Sequence, residues 1–326
     1  MTSASGEDFT IPPSLEGERA DRIVALLTDV SRKRARAACE QGDVVLEGSV
    51  VKPADRLVAG AVLSITTHRE EHAMVPDPSI EFGVAYEDAT VIVVDKPAGL
   101  VVHPGAGRQE GTLAHGLLAA YPELRELDED HRWGIVHRID RDTSGLLLVA
   151  RTAAGHCTLQ DALRRREVSR EYLSLVAGGF GNAIGTIDAP IGRDPARPTQ
   201  MRVIETGRPS RTHYRRLASW DGAEVTLLAV HLESGRTHQI RVHCRAIGHP
   251  VVGDPVYGPG RPVGGDPGRT WLHAERLSFD HPETGERLTI ESDLPADLRE
   301  SLALLGSPDR GSIASLPTPD DATTVD

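Results

Sequence analysis

The sequence predicts an α+β fold with a mixed sheet, and two observations support this prediction. Short β-branched apolar runs, the pattern of buried strands, recur from residue 80 onward at residues 91–94, 146–149, 172–176 and 225–232. Helical segments lie irregularly among these runs, at residues 157–166 and 237–247. Strands with scattered helices are typical of an α+β sheet and not of a regular βαβ array.

Composition and periodicity divide the chain into five predicted segments. Residues 14–67 form a small compact unit, and residues 80–305 form a larger one. Residues 68–79 are charged and contain proline, as expected of a linker. Residues 1–13 and 306–326 are small, polar and acidic without apolar periodicity, so both are predicted to be disordered tails.

The small unit is predicted to contain two helices followed by short strands. Ile23, Leu26 and Leu27 fall at helical spacing, and Ser31 is a good N-cap for a second helix that Gly42 ends. One face of the second helix is basic and carries Arg32, Lys33 and Arg36. The predicted strands are residues 44–46, 50–51 and 62–65.

The net charge of -12 argues at first against an RNA-binding protein. However, residues 1–18 contribute -4 and residues 307–326 contribute -3, so the two tails hold 7 of the 12 excess negative charges. No acidic residue lies between Glu233 and Asp254, a stretch with three arginines. Overall acidity therefore does not exclude RNA, provided that the basic patches are local.

Other features of the composition predict a cytoplasmic protein. Only three cysteines are present, far apart, which fits a reducing compartment better than a disulfide framework. No apolar run has the length of a membrane span, and the polar, acidic start of the chain does not resemble a secretion signal.

The fourteen histidines raise the question of a metal site, and their spacing argues against one. His238 and His243 are five residues apart, not the four that align two ligands on a helix, and no His-Glu-x-x-His pattern occurs. A Gly-x-Ser-x-Gly nucleophile elbow is also absent from the sequence. We therefore expect neither a metal nor a serine hydrolase.

The densest polar cluster, residues 136–145 (VHRIDRDTSG), leads directly into an apolar strand. Arg138 and Arg141 flank Asp140, so its carboxylate is predicted to stay ionised and to act as a nucleophile or general base. Two alternatives are a capped turn with surface salt bridges and a hydrolase that uses Asp140 with Asp142 as paired carboxylates.

Two further segments carry candidate residues. Tyr172 opens a strand, where it is either a packing residue or a ring that stacks on a nucleobase. In residues 234–243, read as a helix, His238, Arg241 and Arg245 share the face opposite the apolar residues, so Arg241 is predicted to point toward a site. The alternative for Arg241 is an ordinary arginine on a surface helix.

These motifs resemble those of the RluA/RluD-type pseudouridine synthase family. Residues 137–145 resemble its His-Arg-Leu-Asp…Thr-(Ser/Thr)-Gly signature, with Ile139 in place of the usual Leu, and residues 235–241 resemble its second strong motif. Residues 95–105 and 248–258 look like two further blocks. The small unit resembles an RNA-binding module named for a small-subunit ribosomal protein, and the whole chain is most similar to the branch of large-subunit ribosomal RNA pseudouridine synthase D.

This resemblance implies a fold and an activity. The larger unit would be a pseudouridine synthase catalytic domain, with a central mixed, largely antiparallel sheet flanked by helices. It would isomerise specific uridines without a cofactor, acting as a monomer on structured RNA, either large-subunit ribosomal RNA or a pre-ribosomal particle. The alternative that keeps the fold is a non-catalytic RNA-binding factor for ribosome assembly.

The resemblance also implies roles for individual residues. Asp140 would be the catalytic carboxylate, Arg241 its salt-bridge partner, and Tyr172 the ring that stacks on the target uracil. Arg138 would enter the RNA stack where the target nucleotide has left it. The complete set of RNA-binding candidates is Arg138, Arg32, Lys33, Arg36, Arg236 and His238.

Overall fold

The computed structural model describes residues 4–28, 32–68, 74–105, 108–127, 132–197, 199–260 and 263–314. The chain divides into two compact units, Met1–Val75 and Pro76–Asp326. The point of division falls within the segment that the sequence predicts to be a linker, residues 68–79. Each unit has its own sheet and is described separately.

In the described part of the small unit, two α-helices pack against a four-stranded sheet. The helices are α1 (Ala20–Thr28) and α2 (Arg32–Gln41). The strands are β1 (Ala4–Thr10), β2 (Val44–Leu46), β3 (Ser49–Val50) and β4 (Val62–His68), in the order β1-β4-β2-β3. Ile23, Val24, Val44 and Leu63 are almost fully buried and belong to its core, whereas Leu26, predicted to share the apolar spacing of Ile23, is exposed.

The prediction of a disordered tail at residues 1–13 is wrong for its described part. Strand β1 pairs antiparallel with β4 over seven residues, from Ala4 opposite His68 to Thr10 opposite Val62. Ile11 follows it and is fully buried. Because β1 lies at the sheet edge, its polar sequence acquires order from backbone pairing rather than from apolar periodicity.

The described residues of the large unit form a ten-stranded sheet, four α-helices and a separate two-stranded ribbon. Its strands are β5 (Gly83–Glu87), β6 (Val91–Lys96), β7 (Ser144–Ala150), β8 (Ser169–Ala177), β9 (Ile184–Asp188), β10 (Ile191–Arg193), β11 (Met201–Val203), β12 (Arg211–Trp220), β13 (Val225–Leu232), β14 (Leu272–Asp280), β15 (Arg287–Glu291) and β16 (Arg310–Gly311). Its helices are α3 (Leu113–Ala120), α4 (Ala153–Arg164), α5 (Gln239–Ala246) and α6 (Ala296–Leu305).

The large sheet is mixed and largely antiparallel, as predicted. Its order is β16-β12-β13-β8-β14-β7-β6-β5, with β9 also paired to β12 and β15 to β14. Strands β7 and β14 run parallel, and the other described pairings of this sheet are antiparallel. The α+β prediction is therefore confirmed.

Strand pairing brings two of the predicted motifs together. Strand β14 lies between β7 and β8, with His273 opposite Ser144 on one side and Ala274 opposite Tyr172 on the other. Every residue of β7 is buried, so this strand anchors the polar segment that precedes it. The loop that carries Asp140 therefore ends one strand away from Tyr172.

The prediction of a disordered tail at residues 306–326 is also wrong for its described part. Arg310 and Gly311 form β16, which pairs with Ser219 and Ala218 of β12. The backbone N–H of Asp309 donates to the carbonyl of Ser219 at 2.9 Å. These backbone hydrogen bonds order a segment that has no apolar pattern, whereas residues 315–326 lie outside the described residues.

None of the helices in the described ranges is both long enough and apolar enough to cross a lipid bilayer.

Candidate active site

The three polar motifs meet at one open cavity in the large unit. Residues of the Asp140 loop form one wall, Arg170 and Tyr172 of β8 form another, and residues 235–241 complete it. The lining also includes Leu232 and Leu272 from the neighbouring strands. Acidic, cationic and aromatic side chains therefore face a single open space.

The loop that carries Asp140 is held through its backbone. Its Arg141 carbonyl accepts hydrogen bonds from the Gly99 N–H at 2.8 Å and from the Lys96 Nζ at 2.9 Å. Lys96 is fully buried, and its ammonium group also donates to two carbonyls of the loop after β6. At the next residue of this loop, the Asp142 carbonyl accepts a hydrogen bond from the Arg269 Nη1 at 3.1 Å. These contacts restrict the position of Asp140 without using its carboxylate.

The carboxylate of Asp140 pairs with Arg241, whose Nη1 lies 3.0 Å from the Asp140 Oδ2. The other edge of the guanidinium contacts Asp254, with Nε donating to Oδ2 at 2.6 Å and Nη2 to Oδ1 at 2.9 Å. Asp254 is fixed in turn by the backbone N–H groups of Val256 and Tyr257 at 2.8 and 2.9 Å. Arg241 is therefore oriented by Asp254 and presents its remaining edge to Asp140.

The surroundings of this cluster favour its charged form. Burial alone would lower the pKa of Arg241, but the hydrogen bonds and charges of Asp254 and Asp140 raise this pKa above its ordinary value. Burial would raise the pKa of Asp254, but the hydrogen bond and charge of Arg241 lower it. Both groups are therefore charged at neutral pH, and one guanidinium neutralises part of two carboxylates.

Tyr172 is buried at the wall of the cavity and is 5% exposed. Burial raises the pKa of its hydroxyl; the charge of Arg170 opposes this rise and that of Asp140 reinforces it. The hydroxyl is therefore protonated at neutral pH. Asp140 and Tyr172 line the same cavity, so an acidic group and an aromatic face are both available to a base that enters it.

The structure brings Arg138, Arg236 and His238 to the same cavity. The prediction that His238 shares a helical face with Arg241 is wrong, because α5 begins at Gln239 and His238 has left-handed backbone angles. The Gln239 side chain accepts a hydrogen bond from the Arg236 N–H at 3.0 Å, which stabilises the preceding loop and delays the helix start. The His238 ring instead contacts the Tyr257 hydroxyl, at 2.9 Å.

The basic residues predicted on α2 belong to the small unit. Arg32 forms an ion pair with the buried Asp21 at 3.3 Å, and Arg36 pairs with Glu40 at 2.8 Å. Both arginines keep exposed side chains, 60% and 62% respectively, so part of each guanidinium faces solvent. The side chain of Lys33 lies outside the described residues.

Of the two cations that flank Asp140 in the sequence, Arg141 binds a different carboxylate. Arg141 is exposed and binds Asp142 through two hydrogen bonds of 2.8 and 3.0 Å. The cation that contacts the Asp140 carboxylate is Arg241, from a distant part of the chain. Asp142 does not line the cavity, so the paired-carboxylate arrangement that a hydrolase would need is not formed there.

Sequence reasoning did not identify three polar residues of the site. Asp254 lies thirteen positions after its partner Arg241. The sequence indicates it only through the Gly253-Asp254 pair in the motif block of residues 248–258. Arg170 and Thr143 line the cavity themselves, whereas Asp254 acts through Arg241, and the Arg170 Nε and the Thr143 hydroxyl are buried without a hydrogen-bond partner among the described residues. Their burial is a property of the folded sheet that local sequence does not reveal.

Within the described ranges, no group of three or more His, Cys, Asp or Glu side chains is arranged to hold a metal ion. The three cysteines, Cys39, Cys157 and Cys244, are free thiols.

Comparisons with known proteins agree on one family. Residues 90–246 match the family described as RNA pseudouridylate synthase. A protein of Pseudomonas aeruginosa, named ribosomal large subunit pseudouridine synthase D, is 42% identical over 308 residues, which are 90% of this chain and 94% of that protein. An uncharacterized RNA pseudouridine synthase of Chloroflexus aurantiacus is 44% identical, over 92% and 93% of the two chains. The solved structure of human RNA pseudouridylate synthase domain containing 1 has a TM-score of 0.53 at 27% identity, covering 73% of this chain and all of that one.

Proposed function

The chain belongs to the RNA pseudouridylate synthase family, and we propose that it isomerises uridines of large-subunit ribosomal RNA with Asp140 as its catalytic carboxylate. It is an enzyme that converts uridine in RNA to pseudouridine. The observation that carries the residue assignment is the Asp140–Arg241 ion pair at the wall of the cavity that Tyr172 also lines.

The reaction breaks the glycosidic bond of a uridine, turns the uracil and rejoins it to the sugar through carbon five. A carboxylate that stays ionised and oriented can attack or deprotonate near the anomeric carbon. Arg241 supports this role, because it pairs with Asp140 while Asp254 holds its other edge. The turned base needs a flat surface, and the Tyr172 ring offers one on the cavity wall.

Access to the target requires that the uridine leave the RNA stack, since a stacked base cannot reach a carboxylate at the wall of a cavity. Arg138 is exposed, lines the cavity and lies two residues before Asp140. A planar cation in this position can fill the gap and stack on the neighbouring bases. We assign to Arg236 and His238 contacts with the flanking nucleotides, since both lie at the same cavity.

The names of the relatives support large-subunit ribosomal RNA as the target, including that of the Pseudomonas aeruginosa protein with 42% identity. The small unit would add RNA contacts through Arg32, Lys33 and Arg36 on α2. We propose that the protein acts as a monomer in the cytoplasm, on the free RNA or on a pre-ribosomal particle.

A direct test of the target uses large-subunit ribosomal RNA transcribed in vitro and incubated with the full chain. Pseudouridines are then mapped by reverse-transcription stops after carbodiimide treatment, with small-subunit ribosomal RNA as the control. Stops at discrete large-subunit positions would support the proposal. Modification of the control RNA alone would contradict it, and binding without modification of either RNA would favour the assembly-factor alternative.

A further inference from the structure

Arg170 is a buried cation that no carboxylate neutralises within the described residues. Its side chain is on β8, two positions before Tyr172 and therefore on the same face of the strand. The residue is 6% exposed, and burial lowers the pKa of its guanidinium. Among the described residues this side chain forms no hydrogen bond and no ion pair, and its Nε is buried without a partner. Such a group is costly to the fold unless it serves a ligand.

The neighbouring loop leaves space for this guanidinium. A Cβ atom at Gly235 would lie 2.6 Å from the Arg170 Nη1, closer than side-chain atoms approach each other. The backbone of Gly235 does not have a positive φ, so its conformation does not require glycine. A side chain at residue 235 would therefore require the Arg170 guanidinium to move from its position at the cavity.

The chemistry of the reaction creates a negative charge inside this cavity. When the N1–C1′ bond breaks, its electron pair stays on the uracil, whose charge spreads over N1, O2 and O4. Carbon five then bonds to C1′, the proton on carbon five leaves, and N1 gains a proton, so the base ends neutral. A preorganised cation at a buried wall would stabilise the charged intermediate much more than it stabilises the neutral substrate.

We propose that Arg170 is a further catalytic residue, which binds the detached uracil and stabilises its negative charge. The inference rests on the proposed placement of the target base between Asp140 and Tyr172. The competing role for Arg170 is a contact with a backbone phosphate. However, its Nε is buried, and its side chain is on the same face of β8 as Tyr172, at the wall where the base would enter. RNA phosphates remain on the outside of a flipped nucleotide.

The test is single-turnover tritium release from RNA labelled at carbon five of uridine, with Arg170→Met and Arg170→Lys. We expect Arg170→Met to slow the reaction about 100-fold, as the loss of one oxyanion-stabilising donor does. The dissociation constant for RNA should change less than about threefold, with the same salt dependence, because no phosphate contact is lost. Arg170→Lys should recover part of the rate, since it restores the charge without the planar fork.

A matched control is Arg165→Met, because Arg165 is 60% exposed and pairs with Glu167. The control should keep the wild-type rate.

Thermal unfolding adds a measurement that separates catalysis from folding. Arg170→Met removes a buried unpaired charge, so its Tm should equal or exceed that of the wild type. A purely structural arginine would instead lower the Tm together with the rate, and that result would overturn the proposal.

Gly235→Ala tests the same inference while Arg170 is retained. The added methyl displaces the guanidinium, and we expect a loss of rate of about 10-fold or more. In the Arg170→Met background, Gly235→Ala should cause no further loss, because the two changes act through one group. Additive losses of rate in the double variant would overturn the proposal. It would also be overturned if Arg170→Met lost as much RNA affinity as rate and its RNA binding depended less steeply on salt. All variants are compared on an RNA that the wild type converts. If the proposed RNA target is wrong, the wild type itself gives no product, and this result is distinct from a loss of rate in the Arg170 variants alone.

Discussion

Asp254 holds Arg241 by two hydrogen bonds of 2.6 and 2.9 Å, on the opposite edge of the guanidinium from Asp140. The Asp254 side chain is fully buried, whereas the Asp140 side chain is 19% exposed at the cavity. One arginine therefore joins a structural carboxylate to the candidate catalytic one. This division of roles leads directly to the first prediction.

Asp254→Asn should lower both stability and activity. The substitution leaves the buried Arg241 charge without its two-point partner, which costs about 3 kcal/mol of unfolding free energy. The freed guanidinium would also orient Asp140 less well, so tritium release should fall. Denaturant unfolding and single-turnover rates measure the two effects.

The control for Asp254→Asn is Glu40→Gln, which breaks the exposed Arg36–Glu40 pair. An exposed pair of this kind contributes about 0.5 kcal/mol or less, so its loss should be barely measurable. Equal destabilisation by the two variants would contradict the assignment of Asp254 as the buried anchor.

Tyr172→Phe should separate stacking from the chemistry of the hydroxyl. The ring still offers a surface to the base, so RNA affinity should remain close to that of the wild type. If the protonated hydroxyl relays the proton that leaves carbon five, accepting it while it donates its own, its loss should lower tritium release about 100-fold, in the range for general acid–base groups. Wild-type release by Tyr172→Phe would restrict Tyr172 to a packing or stacking role.

Arg138→Ala should matter most when the target base must be extracted from a stem. Base flipping costs a few kcal/mol, so loss of the residue that fills the gap should slow conversion of a stem-loop target about 100-fold. On an unstructured RNA with the same uridine, the variant should differ from the wild type by less than about fivefold, because little unstacking is needed. Equal losses on both RNAs would show that Arg138 does not act in extraction.

The buried His137 predicts an acid-sensitive fold. Burial lowers the pKa of His137 to about 3, and its Nε2 accepts a hydrogen bond from the Leu148 N–H at 3.3 Å. The unfolded chain binds a proton near the ordinary pKa of about 6.5, whereas the folded chain does not. The unfolded state therefore carries more protons between these values, and stability falls as the pH drops from about 6.5 toward 3.

His137→Gln tests this dependence, since glutamine can accept the same backbone hydrogen bond without titrating. The Tm of the variant should fall less steeply than that of the wild type between pH 6.5 and pH 4. Measurement at pH 8 supplies the reference for any unrelated change in packing. Parallel Tm curves for the two proteins would show that His137 does not contribute to the acid response.

Sequence reasoning succeeded where local pattern determines structure. Strands β2 and β13 have the predicted bounds, because both are short apolar runs that pack into a core. It failed at β1 and β16, where polar residues are ordered by backbone pairing with strands far along the chain. Backbone hydrogen bonds between segments far apart in the chain do not require a periodic pattern of side chains, so the sequences of β1 and β16 do not predict these strands.

The same limit applies to the candidate site. Asp140, Tyr172 and Arg241 could be named from motifs, and the structure brings all three to one cavity. Asp254 and Arg170 could not, because their roles depend on burial and on partners that only the folded sheet brings close. The sequence predicts too early a start for α5, because it does not reveal the hydrogen bond from the Arg236 N–H to the Gln239 side chain in the loop before the helix.

The central claim is that the Asp140 carboxylate performs the isomerisation, and tritium release from uridine-labelled large-subunit ribosomal RNA tests it most directly. The comparison is wild type against Asp140→Asn, which keeps the size and the polar contacts of the side chain but removes its charge. The account predicts release by the wild type and none above background by the variant, with retained RNA binding and a similar Tm. Release at the wild-type rate by Asp140→Asn would contradict it.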